Sequence, residues 1–438
     1  MPGWTRSDRA FCFSSQGWNL SLSPGLNRGT VPASPMTAIR RQFFLSYAVI
    51  GSVMPLMTVF LKEQGGFSYL QIGLAMSLIS VPMLCSPALI TLLADRNLDA
   101  RVILATAFAC SAIVLSLIFF STSITLTLIL FVFHGLAFVA MLPLQDGYFF
   151  SLAEEQRRQG LAVPEYPLVR IWGTIGFIVP SLILFYPLAR GAEPRMILPC
   201  AIAFCLLSLA NSFTLAPVKR LAPGGSSRLP SRQAFSAIFA PNARWLSIGL
   251  FFAFLAAATY YAFIGNYLDE VVGIPRRHIG LIINLGVLLE VGCTLLMPWM
   301  QRKIHLKGVM VLGLACMVTR MILLAFFPTP FVAVISQIGH GFEVLALYIG
   351  PVMFLNRLAG DEFRNSIQGV FTMAIGGTAR VLGGISAGLM VTHFGLKGCL
   401  FLGAGLGACA FVIIAFLFSR IPPRDELAEN AVSPTTLA

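Results

Sequence analysis

Two ionisable side chains that lie three residues apart give the clearest chemical signal in this chain. His340 and Glu343 lie within a long apolar stretch, and Arg320 lies one apolar segment upstream. Residues three apart share one face of a helix, so the imidazole and the carboxyl group are expected to point the same way. Charged groups in hydrocarbon are costly and usually pair with one another or line a pathway. These three residues therefore predict a polar site at membrane depth.

Glu343 is the residue of this site that is best suited to carry a proton. An apolar surrounding disfavours the charged form of a carboxyl group, whereas a nearby guanidinium favours it. Movement of Arg320 relative to Glu343 would therefore switch the carboxyl group between its protonated and ionised forms. The alternative is a fixed ion pair that joins the two segments. His340 is expected either to relay the proton or to form a hydrogen bond between helices as a neutral imidazole.

The amino-acid composition is that of a protein that crosses a membrane many times. Of the 438 residues, 57% are hydrophobic and only 11% are charged, whereas a soluble domain carries about 25% charged residues. We attribute the net charge of +12 to basic loops on the cytoplasmic side of a membrane and not to nucleic-acid binding. The nine cysteines show no metal-ligand spacing, so no metal site is expected.

Twelve apolar runs of about 20 residues, the length of a membrane-spanning helix, divide the chain into two sets of six. Each run must be helical because lipid cannot satisfy free backbone groups. The predicted spans are 43–61, 69–94, 102–120, 124–150, 168–188 and 195–216, followed by 245–268, 278–300, 307–327, 329–355, 367–391 and 397–419. The predicted fold class is therefore an all-α membrane protein with two six-helix bundles.

The segments between and beyond the spans complete the predicted organisation. They are a disordered tail at 1–40, the two bundles at 41–216 and 245–419, a polar cytoplasmic linker at 217–244 and a second tail at 420–438. The alternative for the first segment is a misassigned start, with Met36 as the initiator. With the N-terminus inside, 22 of the 30 basic residues fall on cytoplasmic segments and 6 fall outside. This bias predicts that both termini are cytoplasmic.

The two bundles repeat one another in sequence. Three short matches, two of them 206 residues apart and the third 204, indicate a duplicated six-span unit in parallel orientation. The matching pairs are His134-Gly135 with His340-Gly341, Asp95-Arg96 with Gln301-Arg302, and Gly173-Thr174 with Gly377-Thr378. Parallel repeats are typical of transporters whose halves rock around a central site. No acid follows His134 as Glu343 follows His340, so His134 is expected to be structural.

Residues 40–419 resemble the major facilitator superfamily. The string Leu92-Leu-Ala-Asp95-Arg96-Asn-Leu-Asp-Ala-Arg101 is similar to the gating loop between spans two and three of that superfamily. The resemblance implies that Asp95, Arg96 and Arg101 latch the cytoplasmic side shut.

Within the superfamily the chain resembles the lactose permease-like and phenylpropionate permease-like proton symporters. Arg320, followed twenty residues later by His340-x-x-Glu343, matches the lactose permease arrangement. The string Arg170-Ile-Trp-Gly-Thr-Ile-Gly-Phe matches an element of span five. The resemblance implies that transport is driven by a proton gradient, without a cofactor. Where the lactose permease pattern has a sugar-binding carboxylate in span eight, this chain has Val287.

The candidates for substrate binding are five residues: Asp146, Arg170, Trp172, Phe177 and Glu290. The resemblance implies that an acid and an arginine at the positions of Asp146 and Arg170 grip the substrate, and an arginine offers two parallel donors to hydroxyls or a carboxylate. One of the two aromatic rings is expected to stack on the substrate. The alternatives are a charged pair at the membrane edge, rings that only pack, and a hydrogen bond from Glu290 to a neighbouring helix. Arg380 is expected to counter one of the acids.

The leading hypothesis is a proton symporter for a small solute such as a sugar, a glycoside or a nucleoside. It would act as a monomer in the cytoplasmic (inner) membrane of a bacterium, with protons, the solute and the lipid bilayer as its partners. A permease for an aromatic carboxylate and an exporter of the same fold are the alternatives. An intramembrane enzyme is disfavoured because the sequence has no His-Glu-x-x-His or comparable motif.

Overall fold

All regular secondary structure in the described residues is helical. The computed structural model describes residues 35–63, 65–85, 99–139, 141–217, 232–241, 243–358 and 364–419. Lipid requires this kind of backbone, because a helix satisfies its hydrogen-bonding groups within one segment. Residues 1–34 and 420–438 of the predicted tails, and residues 218–231 of the predicted linker, lie outside the described residues.

The described α-helices fall into an N-terminal and a C-terminal set. The first set is α1 (Pro35–Val53), α2 (Met57–Glu63), α3 (Tyr69–Leu78), α4 (Ala100–Phe120), α5 (Ile124–Val139), α6 (Met141–Arg158), α7 (Tyr166–Ala189) and α8 (Ile197–Ser212). The second set is α9 (Arg232–Ile238), α10 (Arg244–Asn266), α11 (Arg276–Phe326), α12 (Pro330–Ile335), α13 (Ile338–Val344), α14 (Gly350–Leu358), α15 (Arg364–Phe371) and α16 (Thr378–Val412).

Nine helical segments of the described chain are long and apolar enough to cross a membrane, and Tyr69–Leu84 is a shorter apolar segment. Two of the nine are each divided by one residue with a positive φ, which is His305 (φ 58°) in α11 and Gly395 (φ 70°) in α16. Both breaks fall where the sequence predicts loops between successive spans. The total of twelve spans and the cytoplasmic position of the termini stay predictions.

The linker predicted at 217–244 contains a helix that the sequence analysis missed. This helix, α9, packs against α15, and its side chains Ala234 and Ile238 are buried. The hydroxyl of Ser247 donates a hydrogen bond to the carbonyl of Ile238 at 2.7 Å. The residues before α9 have the composition of a loop, so the sequence analysis assigned the whole segment to a linker. Ala234 and Ile238 are four residues apart and share one helix face.

Two other boundaries differ from the prediction. The first helix begins at Pro35, within the predicted tail, because Met36, Ala38 and Ile39 are buried in spite of the arginines that follow. Helix α6 continues to Arg158, eight residues beyond the predicted span. Its last turns are polar and carry an i,i+4 ion pair between Glu154 and Arg158, which supports a helix outside lipid.

Helices α1 and α7 cross in backbone contact. A Cβ atom added to Gly51 would lie 2.0 Å from the carbonyl oxygen of Phe177, and one added to Gly176 would lie 2.0 Å from that of Phe44. Small residues allow membrane helices to approach this closely. The crossing brings Tyr47 of α1 opposite Arg170 of α7, which are both residues of the candidate site described below.

The two halves of the molecule meet where α3 crosses α16. A Cβ atom on Gly73 would lie 2.4 Å from the carbonyl oxygen of Gly384, so the two backbones are in contact. The hydroxyl of Ser77 donates a hydrogen bond to the carbonyl of Val381 at 2.6 Å. The halves are therefore held together by close helix packing as well as by polar side chains.

Charged residues join the halves at one end of the molecule. Arg276 forms ion pairs with Glu63 of the N-terminal half and with Asp269, the latter at 3.1 Å. Tyr69 donates a hydrogen bond to Glu270. We call these five residues the interhalf clamp. They flank the first and seventh predicted spans at the end that the predicted orientation places outside the cell.

The α1–α7 crossing predicts an unequal response to adding one methyl group. We expect Gly176→Ala to lower the free energy of unfolding by about 1–3 kcal/mol, because the methyl group would overlap backbone that cannot move aside. Gly292→Ala is the matched control, since a Cβ there meets nothing within 4 Å. Thermal unfolding of both purified variants in detergent measures the difference. Equal stability of the two variants would contradict the backbone contact.

Candidate functional site

The ion pair proposed from the sequence is present and buried. Arg320 of α11 and Glu343 of α13 approach to 3.0 Å (Nη1 to Oε2), with side-chain exposures of 3% and 1%. The guanidinium carbon lies 4.2 Å from the ring centre of Tyr260 on α10, and the face of an aromatic ring attracts a cation. Three helices of the C-terminal half therefore contribute to one buried charge pair.

Glycines bring the two helices of this ion pair together. A Cβ atom on Gly313 would lie 2.3 Å from the carbonyl oxygen of Phe342, and one on Gly339 would lie 3.3 Å from that of Cys316. The short distance between backbones allows an arginine and a glutamate to meet without leaving either helix. The packing of small residues thus fixes the position of the pair.

Tyr261 of α10 connects Glu343 to His340. Its hydroxyl donates a hydrogen bond to Glu343 Oε1 at 3.0 Å and lies 2.8 Å from His340 Nδ1. A phenol has one proton to donate and accepts through its oxygen. If that proton is on the Glu343 side, His340 Nδ1 must carry a proton and donate it to the phenol oxygen, which leaves Nε2 as the acceptor nitrogen of the neutral ring.

Glu290 of α11 extends the polar contacts from His340 toward the interface between the halves. Its Oε2 lies 3.9 Å from His340 Nε2, and 35% of its side chain is exposed. Gly286, one turn earlier, packs against the histidine, since a Cβ there would lie 3.0 Å from His340 Cδ2. A glycine at this position therefore brings α11 close enough to α13 for the carboxylate to approach the imidazole.

In the N-terminal half, Asp146 and Arg170 each have a tyrosine partner. The hydroxyl of Tyr166 donates a hydrogen bond to Asp146 Oδ1 at 2.8 Å. Arg170 donates to the hydroxyl of Tyr47, and its guanidinium carbon lies 4.1 Å from the centre of that ring. Asp146 and Arg170, which are both expected to grip the substrate, thus each contact a tyrosine and lie within electrostatic range of one another.

Arg170 also links the two halves electrostatically. It lies within electrostatic range of Glu290 in the C-terminal half, and Tyr47 lies within range of both Asp146 and Glu290. Polar contacts thus run from the buried ion pair through Tyr261 and His340 to Glu290, and Arg170 lies within electrostatic range of their last member. Sequence reasoning missed Tyr47, Tyr166 and Tyr261. The available signal was a tyrosine inside an apolar span, whose hydroxyl needs a partner when it is buried.

The two aromatic candidates on α7 lie on different faces. Seven residues separate Phe177 from Arg170, which places them on one side of the helix, whereas Trp172 is two residues from Arg170 and points elsewhere. Trp172 is 40% exposed and Phe177 is partly buried. The geometry therefore favours Phe177 as the ring that faces the same space as Arg170.

Of the predicted gating residues, Asp95 and Arg96 lie outside the described residues. Arg101 is anchored within the N-terminal half, where its Nε donates to Asp99 Oδ2 at 2.8 Å and its Nη1 donates to the carbonyl of Leu215 at 3.2 Å. The hydrogen bonds from Arg101 hold the pKa of Asp99 below its ordinary value. Asp99 also accepts from the backbone of Arg101, so this pair caps the start of α4.

His134, the repeat partner of His340, packs between two helices. Its Nδ1 lies 3.0 Å from the hydroxyl of Ser111 on α4, and the imidazole is buried. Its ring lies against that of Phe138, at 5.1 Å between centres. These contacts agree with the structural role expected for His134.

Two connected sets of apolar helices with charged groups between them define the class of this protein as a membrane transporter. The sequence model of the MFS_1 like family matches residues 36–401, and the chain belongs to this family of the major facilitator superfamily. It is therefore a multi-pass integral membrane transporter and not an enzyme.

Similar proteins include two permeases of Escherichia coli. The chain is 24% identical to the nucleoside permease NupG over 369 residues, which cover 81% of this chain and 87% of the relative. It is 22% identical to the xanthosine permease over 416 residues, which cover 89% and 97%. The crystal structure of the nucleoside transporter NupG aligns with a TM-score of 0.77 at 22% identity, covering 88% of this chain and 100% of that chain. The structural likeness shows the major facilitator fold.

The position of Tyr261 predicts that its hydroxyl stabilises the buried site. We expect Tyr261→Phe to lower the free energy of unfolding by about 1.5–3 kcal/mol, the usual contribution of a hydrogen bond to a charged group. Tyr186→Phe is the control, because Tyr186 is exposed and meets Arg190 with the face of its ring, which the change retains. Thermal unfolding of both variants gives the comparison. A loss that is as large in the control would show that Tyr261 does not hold the site.

Proposed function

We propose that this chain is a proton-coupled symporter that takes up nucleosides across the cytoplasmic membrane of a bacterium by alternating access. The observation that carries the proposal is the polar path from the Arg320–Glu343 pair through Tyr261 and His340 to Glu290. This path ends beside a cation of the other half. The names of the two permeases of Escherichia coli support a nucleoside as the solute in preference to a simple sugar.

Glu343 is the proposed proton carrier. Its carboxylate is held by Arg320 and by the hydroxyl of Tyr261. When the carboxylate takes up a proton, the guanidinium loses its counter-ion but stays over the ring of Tyr260. Proton binding therefore changes the charge of a buried cluster that spans three helices, which is a physical means of favouring one conformation over another.

The proposed substrate site lies between the halves, where Asp146 and Arg170 face Glu290. The two carboxylates can accept hydrogen bonds from ribose hydroxyls. The guanidinium of Arg170 can donate hydrogen bonds to the oxygens of the same hydroxyls. Phe177, on the same face of α7, offers a ring on which the base can stack. A solute held by residues of both halves draws the halves together around it. A site formed by Asp146 and Arg170 of one bundle and Glu290 of the other meets this condition.

His340 is the proposed connection between the two sites. Its Nδ1 faces Tyr261 and its Nε2 faces Glu290. A solute hydroxyl that binds Glu290 changes the charge distribution next to Nε2, and the imidazole passes that change to the phenol and to Glu343. The resemblance of Arg320 and His340-x-x-Glu343 to the lactose permease branch supports this coupling arrangement.

An aromatic carboxylate is a weaker candidate for the solute at this position. Arg170 would have to clamp the carboxylate, but it lies within electrostatic range of Asp146 and Glu290. Two acids around one arginine leave the surroundings of Arg170 with an excess of negative charge, which disfavours an anion at that residue. The same surroundings suit a neutral solute that is rich in hydroxyl groups.

The proposed proton carrier gives a clear prediction for uptake. Glu343→Gln should abolish accumulation of labelled uridine in vesicles with an imposed pH gradient, because an amide neither binds nor releases the transported proton. Exchange of uridine across the same vesicles should continue, since exchange needs no net proton movement. Glu154→Gln is the matched control, because Glu154 is exposed and pairs with Arg158 in the polar end of α6. Accumulation by Glu343→Gln would refute the role of Glu343.

The proposed substrate site gives a prediction for binding. Arg170→Gln and Glu290→Gln should each weaken uridine binding by about tenfold to a hundredfold, the equivalent of one hydrogen bond to a charged group. Titration calorimetry of the purified protein measures the dissociation constants, with Glu154→Gln again as the control. Unchanged uridine affinity in both variants would place the solute elsewhere.

A further inference from the structure

Arg380 of α16 is a membrane-embedded cation with neutral partners. Its Nη2 donates to the hydroxyl of Tyr348 at 2.9 Å, and its Nη1 points to Met83 Sδ at 3.2 Å. Among the described residues no carboxylate pairs with it, so the acid expected from the sequence is not found there. A charged group at membrane depth usually faces a partner or a water-filled path. Both partners that the structure describes for Arg380 are neutral.

Arg380 lies at the contact between the halves. Its partner Met83 belongs to the N-terminal half. Val381, which follows Arg380 in the chain, accepts a hydrogen bond from Ser77 of the same half at 2.6 Å. Tyr348 belongs to the C-terminal half and is 41% exposed. The guanidinium itself is half-buried. It therefore lies at a contact between the two halves.

The surroundings of Arg380 differ in charge from those of Arg170. Arg170 has two acids within electrostatic range, whereas the contacts of Arg380 are a phenol and a thioether. A guanidinium has five N–H donors in a planar fork that matches a carboxylate. Two of the five are used by the neutral partners, and within the described residues the others meet no acceptor. The site is therefore suited to an anionic group.

Tyr348 connects this cation to the coupling residues. The tyrosine lies within electrostatic range of Tyr261, whose hydroxyl contacts His340 and Glu343. Through Tyr348 and Met83, Arg380 thus borders the interface between the halves. A nucleoside whose ribose meets Arg170 and Glu290 at this interface would have its base available to another part of it.

We propose that Arg380 binds a negatively charged group on the base of the transported nucleoside, such as a ring carboxylate. This inference rests on the function proposed above and extends it to the class of base. Ribose would be recognised by Arg170 with its acids, and an anionic base by Arg380 with Tyr348. Tyr348 acts as a positioning residue, because its hydroxyl accepts from the guanidinium and fixes the direction of the fork.

Two uridine derivatives of nearly the same shape test the proposal. 5-Carboxyuridine carries an ionised carboxylate at pH 7, and 5-carbamoyluridine carries a neutral amide in its place. Each is used to displace labelled uridine from the purified full-length chain in detergent. The quantity compared is the ratio of the two inhibition constants within one protein sample, so that a partly unfolded sample does not alter it.

In the natural protein we expect the carboxylate to bind about tenfold more tightly than the amide, as one charge-assisted contact predicts. Arg380→Gln should remove this preference, and Arg380→Lys should retain part of it, because lysine keeps the charge and loses the fork. Arg190→Gln is the matched control. Arg190 also lies over a tyrosine ring, 4.0 Å from the centre of Tyr186, but follows the last residue of α7, and the preference should persist there.

Two results would overturn the proposal in distinguishable ways. In the first, uridine binds and the ratio of the two inhibition constants is the same in the natural protein and in Arg380→Gln. Arg380 then does not bind the charged group of the base. The nucleoside function would then stand without this extension. If none of the three nucleosides binds the natural protein, the proposed function fails and the inference fails with it.

Discussion

The buried pair of Arg320 and Glu343 sets the strongest physical constraint on this structure. Each charge taken out of water carries a penalty of several kcal/mol, and only close pairing with further polar contacts offsets it. The helices are arranged to supply these contacts: glycines let α11 and α13 approach, and α10 contributes the ring of Tyr260 and the hydroxyl of Tyr261. Protonation of Glu343 would remove the charge that pairs with Arg320 and that accepts the hydrogen bond from Tyr261. A proton at this position therefore acts on the packing of three helices.

The buried pair lies in one half and Arg170 lies in the other. In the proposed mechanism, the proton and the solute therefore influence each other at the interface between the halves. His340 and Glu290 are the groups that extend from the buried pair to that interface. The halves are in close contact where Gly73 meets Gly384 and where the interhalf clamp joins Glu63 to Arg276. Opening at the clamp would have to break ion pairs that are partly exposed, and such pairs contribute little free energy. The ion pairs of the clamp therefore add little to the free energy that opening at this end would require.

The amino-acid sequence predicted an all-helical fold, the breaks near His305 and Gly395, and the meeting of Arg320 with Glu343, because hydrocarbon strongly restricts where charges and loops are allowed. The total of twelve spans stays a prediction. The sequence did not predict the tyrosines. Tyr261 lies about eighty residues from its partners, and an aromatic residue in an apolar span looks the same whether it packs or bonds. For the same reason the sequence did not predict that Asp146 and Arg170 would each contact a tyrosine. Helix α9 was missed since two buried side chains are too few to produce a periodic pattern.

The central claim is that movement of a nucleoside and of a proton are one event, linked through Glu343. The most direct measurement is the pH of a weakly buffered suspension of de-energised vesicles when uridine is added. The account predicts an alkaline shift outside the vesicles that follows uridine entry in time and in amount, and that is lost in Glu343→Gln. Entry of uridine without any change in external pH would contradict it.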